Sequence, residues 1–163
     1  MARILAISSQ VVRGHVGLSA IVPALQAQGH EVWPMPTVLL SNHPAHPRVA
    51  GLRIPPDDLR RMLDALDANG WLDGVEAEKC ALIGELTDGV EAILTGYLPT
   101  AEHVDVAAEA IDRICGSNRL RVAPRHIQVL CDPVLGDHPK GLYIDPAAAA
   151  AIRDKLIGRA SIA

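Results

Sequence analysis

Phenylalanine is absent from this chain, and only two tryptophans and two tyrosines occur among its 163 residues. The core must therefore be built from alanine, leucine, isoleucine and valine, which suits layered helix-and-sheet packing better than an aromatic-rich β-sandwich. Cysteine is also scarce. Cys80, Cys115 and Cys131 lack CxxC spacing, which excludes a disulfide framework and a zinc knuckle and suits a reducing compartment. Cys131 follows the apolar run Ile127 to Leu130 and is expected to be a small buried hydrophobe. No apolar run is long enough to span a membrane, and Ile4 to Ile7 is too short for a signal peptide, so a cytoplasmic protein with no membrane partner is expected. Concentrated positive charge is missing too. The net charge is −4, and the densest basic cluster, Arg119, Arg121 and Arg125, is short and has no interleaved aromatics, which argues against a nucleic-acid partner. What is present, 49% hydrophobic and 21% charged residues, is the composition of one globular domain with a sizeable core.

Hydrophobic patterning alternates strands with helices. Ile4 to Ser8 reads as a buried strand running into the turn-rich Arg13-Gly14-His15-Val16-Gly17. A helix over Leu18 to Gln28 follows, stopped by Gly29, then a strand over Glu31 to Met35 and a long Pro, Asn and His loop from Pro36 to Arg48. The clearest helix starts at Pro56 with Asp57 and Asp58 in its first turn and closes at Asn69-Gly70, with Leu59, Met62, Leu63 and Leu66 on its apolar face. A helix over Val75 to Leu86, a strand over Val90 to Leu94, a helix over Ala101 to Ile114 and a strand over Ile127 to Cys131 come next. The last helix has Asp145 as N-cap, Pro146 at its first position and Ala147 to Ile157 as body. This order predicts an α/β domain with a mainly parallel sheet covered on both faces, and ligands at the carboxyl ends of its strands. Gly74-Val75-Glu76-Ala77 echoes Gly89-Val90-Glu91-Ala92, too short a match to be a structural repeat.

Three polar clusters fall at those strand ends, and each has a plain alternative. Ser8-Ser9 with the glycines at 14 and 17 can bond a small polar ligand and let backbone approach it, or can simply be a turn. It is not a Walker A loop, since no GxxxxGK[ST] is present. Ser41-Asn42-His43-Pro44-Ala45-His46-Pro47 lacks a third ligand at metal-site spacing and reads as a proline-stiffened loop or flap over a pocket, or as exposed histidines. Asp132 at a strand end, Asp137 five residues on and Lys140 nearby can manage a metal–phosphate substrate, or can be turn and loop residues.

Taken in order, ILAISSQVVRGHVG, EVWPMPTVLLSNHP, LTGYLPTAEHV and CDPVLGDHPKGLYI resemble the successive signature segments of pyridoxal kinases, members of the ribokinase-like superfamily. The resemblance runs from Arg3 to about Ala163 and corresponds to the N-terminal half of such enzymes. It implies a three-layer α/β/α fold and ATP-dependent phosphorylation of the 5′-hydroxymethyl of pyridoxal, and often of pyridoxine or pyridoxamine, with Mg2+. It also implies that Ser9 bonds the pyridine ring, that Val16 and Tyr97 pack against it, and that the loop around His43 closes over it. Asp132 is placed on the nucleotide and metal side and Asp137 near the cation.

The sequence departs from the family pattern at Gln10, where many members have His, and at Pro44, where they have Thr. Residues 78–90 match nothing in the pattern and are expected to be a surface insertion. The family's aspartate base sits in a glycine-rich GTGD-like segment that none of these residues match, so no catalytic base is expected here. A single C-terminally truncated domain over residues 1–163 would leave a sheet edge unpaired, and a homodimer or domain-swapped oligomer is the expected consequence. A non-catalytic module that binds pyridoxal or another protein is the alternative reading.

Overall fold

A computed structural model describes residues 1–73, 89–119 and 126–163. Its main sheet contains β1 (Arg3–Arg13), β2 (Glu31–Asn42), β3 (Gly51–Arg53), β4 (Ala92–Thr95) and β5 (Gln128–Cys131), in the spatial order β3-β2-β1-β4-β5. The β1–β2, β1–β4 and β4–β5 pairs are parallel, and only β3 is antiparallel, against β2. The helices are α1 (Leu18–Gln26), α2 (Pro56–Ala68), α3 (Ala101–Arg119) and α4 (Pro146–Ala151). The last continues through a wide turn at Ile152–Leu156 and a tight one at Ile157–Arg159. A two-residue hairpin, β6 (Gly136–Asp137) with β7 (Gly141–Leu142), follows β5.

Alternation along β1 sorts the core into two layers. Leu5 and Ile7 join the large cluster with Ile93, Val129, Leu59, Leu63, Ile111 and Leu156, while Ala6 joins Leu18 and Val32 in a small one. Side chains one residue apart on a strand point to opposite faces, so α1 lies on one face and α2, α3 and α4 on the other. Alanine is abundant where helices approach closely: Ala107, Ala110 and Ala148 are wholly buried. Beyond packing, Arg113 of α3 ties the two helices together through Asp64 and Asp67 of α2 and Glu109 on its own helix.

Except for the helix read over Val75 to Leu86, the expected elements are present, with corrections. Residues 36–42, read as loop, continue β2, and β1 runs five residues past Ser8. Pro34 and Pro36 hid this, because proline lacks an N–H for the ladder. They are tolerated because β3 pairs only with Val38–Leu40, leaving β2 an edge strand at the prolines. Met62, expected on the apolar face of α2, is 44% exposed, whereas Leu59 and Leu63 are wholly buried. Asp145 stands at the N-cap of α4 without a side-chain cap bond; its carbonyl receives the N–H groups of Ala148 and Ala149 instead. The outer edge of β5 is partly met: Ser161 N–H donates to Val129 O at 2.7 Å and Cys131 N–H to Ile162 O at 2.9 Å. Cys131 is buried, as expected. The helix read over Val75 to Leu86, Cys80, Arg121, Arg125, the first copy of the four-residue echo and most of the 78–90 insertion lie outside the described residues. Among the described residues no helix is long and apolar enough to cross a membrane.

Candidate functional site

Chain direction in the sheet changes at one place. From β1 the path moves by way of α1 to β2 on one side, and β4 then takes the other side of β1. In such a sheet the crevice outside the strand ends at this switch point is where ligands bind, because the two connections leave in opposite directions. Here it falls where the β1–β4 pairing ends, between Ser8 and Ser9 of β1 and Thr95-Gly96-Tyr97 at the end of β4.

Both sides of the crevice are locked by hydrogen bonds. Gly96 N–H donates to Ile7 O at 2.9 Å, and Tyr97 N–H donates to the buried Ser8 Oγ at 3.1 Å. From β2, Thr37 Oγ1 donates to Tyr97 O at 2.8 Å. The peptide groups of Tyr97 are thus held from two neighbouring strands. A glycine is required at 96, since a Cβ there would lie 2.5 Å from Ser8 Oγ.

Thr37 can reach Tyr97 because the β1–β2 register slips beside Ser9. Ser8 is opposite Pro36 but Gln10 is opposite Leu39, so β2 spends one residue more than β1. A bulge of this kind re-aims side chains, and it leaves the consecutive Thr37 and Val38 both buried. On the other flank, Gly17 closes on Ser9. Its φ is +53°, and a Cβ would sit 2.1 Å from Ser9 O and 2.4 Å from Ser9 Oγ. Val16, half-buried, directly precedes that glycine. Ser19 Oγ accepts the Val11 N–H at 3.2 Å and donates to Val11 O at 2.7 Å, fastening the end of β1 to α1.

The Tyr97 ring is half-buried, and its hydroxyl donates to Tyr143 O at 3.3 Å. Burial holds the Tyr97 phenol above its ordinary pKa, with Arg53 opposing and Asp145 adding to the rise. Next to it, Thr95 Oγ1 is buried without a conventional partner; the Cys131 thiol across the β4–β5 ladder is the weak partner it has. Burial also raises the Cys131 thiol, which makes it a poor nucleophile.

Ser9 thus neighbours Ser8, which bonds Tyr97 at the end of β4, and Val16 precedes the glycine that closes on Ser9. His43 lies apart from them: it is exposed where the β2–β3 loop begins, just past the Arg13–Asn42 pair. That places it about 13 Å or more along the strand direction from Ser9. Asp132 is exposed at the end of β5, its N–H donating to Thr95 O at 2.8 Å. Asp137 is exposed on the β6–β7 hairpin beside Tyr143. Among the described residues no three His, Cys, Asp or Glu side chains are grouped to hold a metal ion. Two cavities among the described residues include none of Ser9, Val16 and Tyr97: one of about 390 Å³ on the flap and one of about 420 Å³ between Arg53, Pro56 and His103. Sequence reasoning missed Thr37, which was hidden in the supposed loop, and the supporting role of Ser8. Only the pairing of Ser8 with Ser9 in one motif hinted at it.

No family model matches the chain. Among curated proteins it is 34% identical over 159 residues to the pyridoxal kinase PdxY of Corynebacterium diphtheriae, covering 98% of this chain and 49% of that protein. It is 36% identical over 157 residues to the pyridoxine/pyridoxal/pyridoxamine kinase of Bordetella avium, covering 96% of this chain and 46% of the relative. Among solved structures, the pyridoxal kinase of Leishmania donovani in complex with ADP and pyridoxamine superimposes with a TM-score of 0.78 at 28% identity, over 93% of this chain and 47% of that one. The chain spans about half the length of the curated relatives it matches. With a switch-point crevice on a mainly parallel sheet and this similarity over nearly all of its residues, the chain has the ribokinase-like fold and is similar to about half of a pyridoxal kinase.

Proposed function

We propose that this chain carries the vitamer-binding part of a pyridoxal kinase and takes part in ATP-dependent phosphorylation of the 5′-hydroxymethyl of pyridoxal, pyridoxine or pyridoxamine. The observation that supports this reading is the clamp on the Tyr97 peptide groups by Ser8 and Thr37, which holds Tyr97 in place at the switch point. A flat heteroaromatic ring needs apolar walls and one or two directional polar contacts. In this reading Val16 and Tyr97 supply the walls and Ser9 Oγ the polar contact, and the flap bearing His43 would have to bend over from the far end of β2 to cover the ring.

Asp132 and Asp137 are exposed carboxylates past the end of β5, hard oxygen donors suited to a magnesium ion that keeps most of its waters. In this reading Asp132 faces the nucleotide and Asp137 the cation. Bound Mg–ATP supplies the phosphoryl group, and what these residues contribute is position and charge. The catalytic base is assigned to none of the 163 residues. A second reading is pyridoxal binding without turnover. The reading also includes a cytoplasmic location and self-association, the latter open to light scattering.

Calorimetric titration with pyridoxal, beside an assay for pyridoxal 5′-phosphate formation with Mg–ATP, separates the two. Binding with turnover supports the kinase, binding without turnover supports the second reading, and no binding at millimolar pyridoxal defeats both.

A further inference from the structure

The first 56 residues contain four arginines and one acid, Glu31, although the whole chain has a net charge of −4. Glu31 begins β2, at the end away from the flap, and accepts a hydrogen bond from Trp33 Nε1. The flap is therefore a locally cationic element on an anionic protein. Its cavity of about 390 Å³ is lined by Arg13, Ser41, Asn42, His46, Pro47 and Arg48. Arg13 comes from the end of β1 and the others from the end of β2 and the loop after it, so the site joins two strands.

Local bonds shape this cavity before any ligand arrives. Asn42 Nδ2 donates to both His43 O and Arg48 O at 3.1 Å, drawing the two ends of the loop together. Ser41 Oγ donates to Asn42 Oδ1 at 2.7 Å and receives the Ala50 N–H at 3.0 Å. Ser41 N–H donates to Ala50 O at 2.7 Å, extending the β2–β3 ladder to the loop base. The side chains of Ser41 and Asn42 are thus occupied in fixing the loop. The two guanidinium groups and the His46 ring remain as the ligand-facing donors.

Among the described residues, no carboxylate pairs with Arg13 or Arg48. Most other arginines here do find one: Arg3 pairs with Glu91, Arg60 with Asp57 and Glu109, Arg113 with three acids and Arg159 with Asp112. Two guanidiniums lining one small cavity repel each other unless a counter-charge sits between them. A single carboxylate satisfies one guanidinium in bidentate fashion, whereas a phosphate dianion has oxygens enough for both.

From this arrangement we infer that the flap cavity is a phosphate-binding site held by Arg13 and Arg48, with His46 as a third donor. It is distinct from the ring crevice: Arg13 is four residues beyond Ser9 on β1, about 13 Å at strand spacing. The inference does not rest on the kinase reading, because inorganic phosphate alone is enough to test it. A phosphorylated vitamer and a nucleotide are the two sources of such a group.

The test is titration of the 163-residue chain with inorganic phosphate at constant ionic strength, followed by NMR at the arginine Nε–H signals. Saturable shifts at Arg13 and Arg48 are expected, with a dissociation constant on the order of 1–10 mM. Arg13→Gln and Arg48→Gln should each weaken binding roughly tenfold, the size of one charge-assisted contact. Arg153→Gln, on an arginine already paired with Asp154, should leave it unchanged. Non-saturable shifts, or equal affinity in the Arg13→Gln/Arg48→Gln double variant with an intact amide spectrum, would overturn the site. Repeating the titration with pyridoxal 5′-phosphate and with ADP assigns the source, as the compound that outcompetes inorganic phosphate. If pyridoxal fails to bind anywhere while phosphate still saturates these arginines, the kinase reading falls and the flap site stands.

Discussion

His103 Nε2 lies 2.9 Å from Ile54 O, and this contact fixes where the flap joins the body of the protein. A carbonyl only accepts, so Nε2 carries the proton. In the neutral ring Nδ1 then accepts from Thr100 Oγ1, 2.8 Å away. Ile54 follows β3 directly, and its N–H donates to Thr37 O at 3.0 Å. One residue therefore links the flap base to Thr37, and through it to Tyr97, and to the start of α3.

His103 is 1% exposed, and burial pulls its pKa below the usual histidine value. The Ile54 carbonyl and Glu102 oppose that shift, while Arg53 adds to it. Asp57, Arg60 and Asp105 are the other charged groups around the adjoining cavity. The unfolded chain takes up this proton more readily than the folded one, so stability is fully present above about pH 6.5 and declines as pH falls below it. Denaturant midpoints at pH 7.5 and pH 5.5 check this. The wild type should lose more stability between them than His103→Gln, which keeps a donor for Ile54 O without the titration.

Removing that donor altogether strands a buried carbonyl. His103→Leu should cost about 1–3 kcal/mol at neutral pH. Hydrogen exchange should show faster opening at the Leu52 and Arg53 amides while β4 and β5 stay protected. Unchanged exchange in the flap would show that the latch does not govern it.

Thr37→Val and Ser8→Ala each take one partner from the Tyr97 peptide groups. Each should lower stability by about 1–2 kcal/mol and weaken pyridoxal binding further in proportion. Calorimetry on both variants tests this. Pyridoxal affinity that follows only global stability would argue against the clamp as a ring-positioning device.

Gly17→Ala introduces a Cβ 2.1 Å from Ser9 O at a backbone φ of +53°. Strain of about 1–3 kcal/mol is expected from the backbone alone. Either the 14–17 turn moves or Ser9 does. Pyridoxal binding should fall by more than the drop in thermal midpoint implies, whereas Gly29→Ala, with no atom near its Cβ position, should spare binding.

Leu59→Ala and Leu63→Ala should each cost about 2–5 kcal/mol, the range for emptying a packed site. Met62→Ala, beside them in sequence but exposed, should be within about 0.5 kcal/mol of neutral. Urea denaturation of the three variants checks the facing of α2.

The helix at Pro56 was legible because its signals are local: proline at the first position, acids in the first turn and Asn69-Gly70 at the end. The buried halves of β1 and β4 were legible from apolar runs, and Cys131 from the run before it. The far half of β2 was not, since its prolines look like breakers until the sheet shows that no neighbour needs their N–H groups. The strand-end segments Ser8-Ser9 and Thr95-Gly96-Tyr97 could be picked out in the sequence, but Thr37 could not. Its role comes from a register slip between two strands, which leaves no mark in the sequence.

By itself, the sequence determined the alternation of strands and helices, the mainly parallel sheet and the segments that bear the site, because each depends on residues near one another in the chain. The tertiary structure alone decided which strand ends face each other. Ser8 and Tyr97 are 89 residues apart and Thr37 and Tyr97 are 60 apart, yet each pair is one hydrogen bond across. Strand order and register set such contacts, and both follow from how the whole set of apolar faces packs rather than from any local stretch.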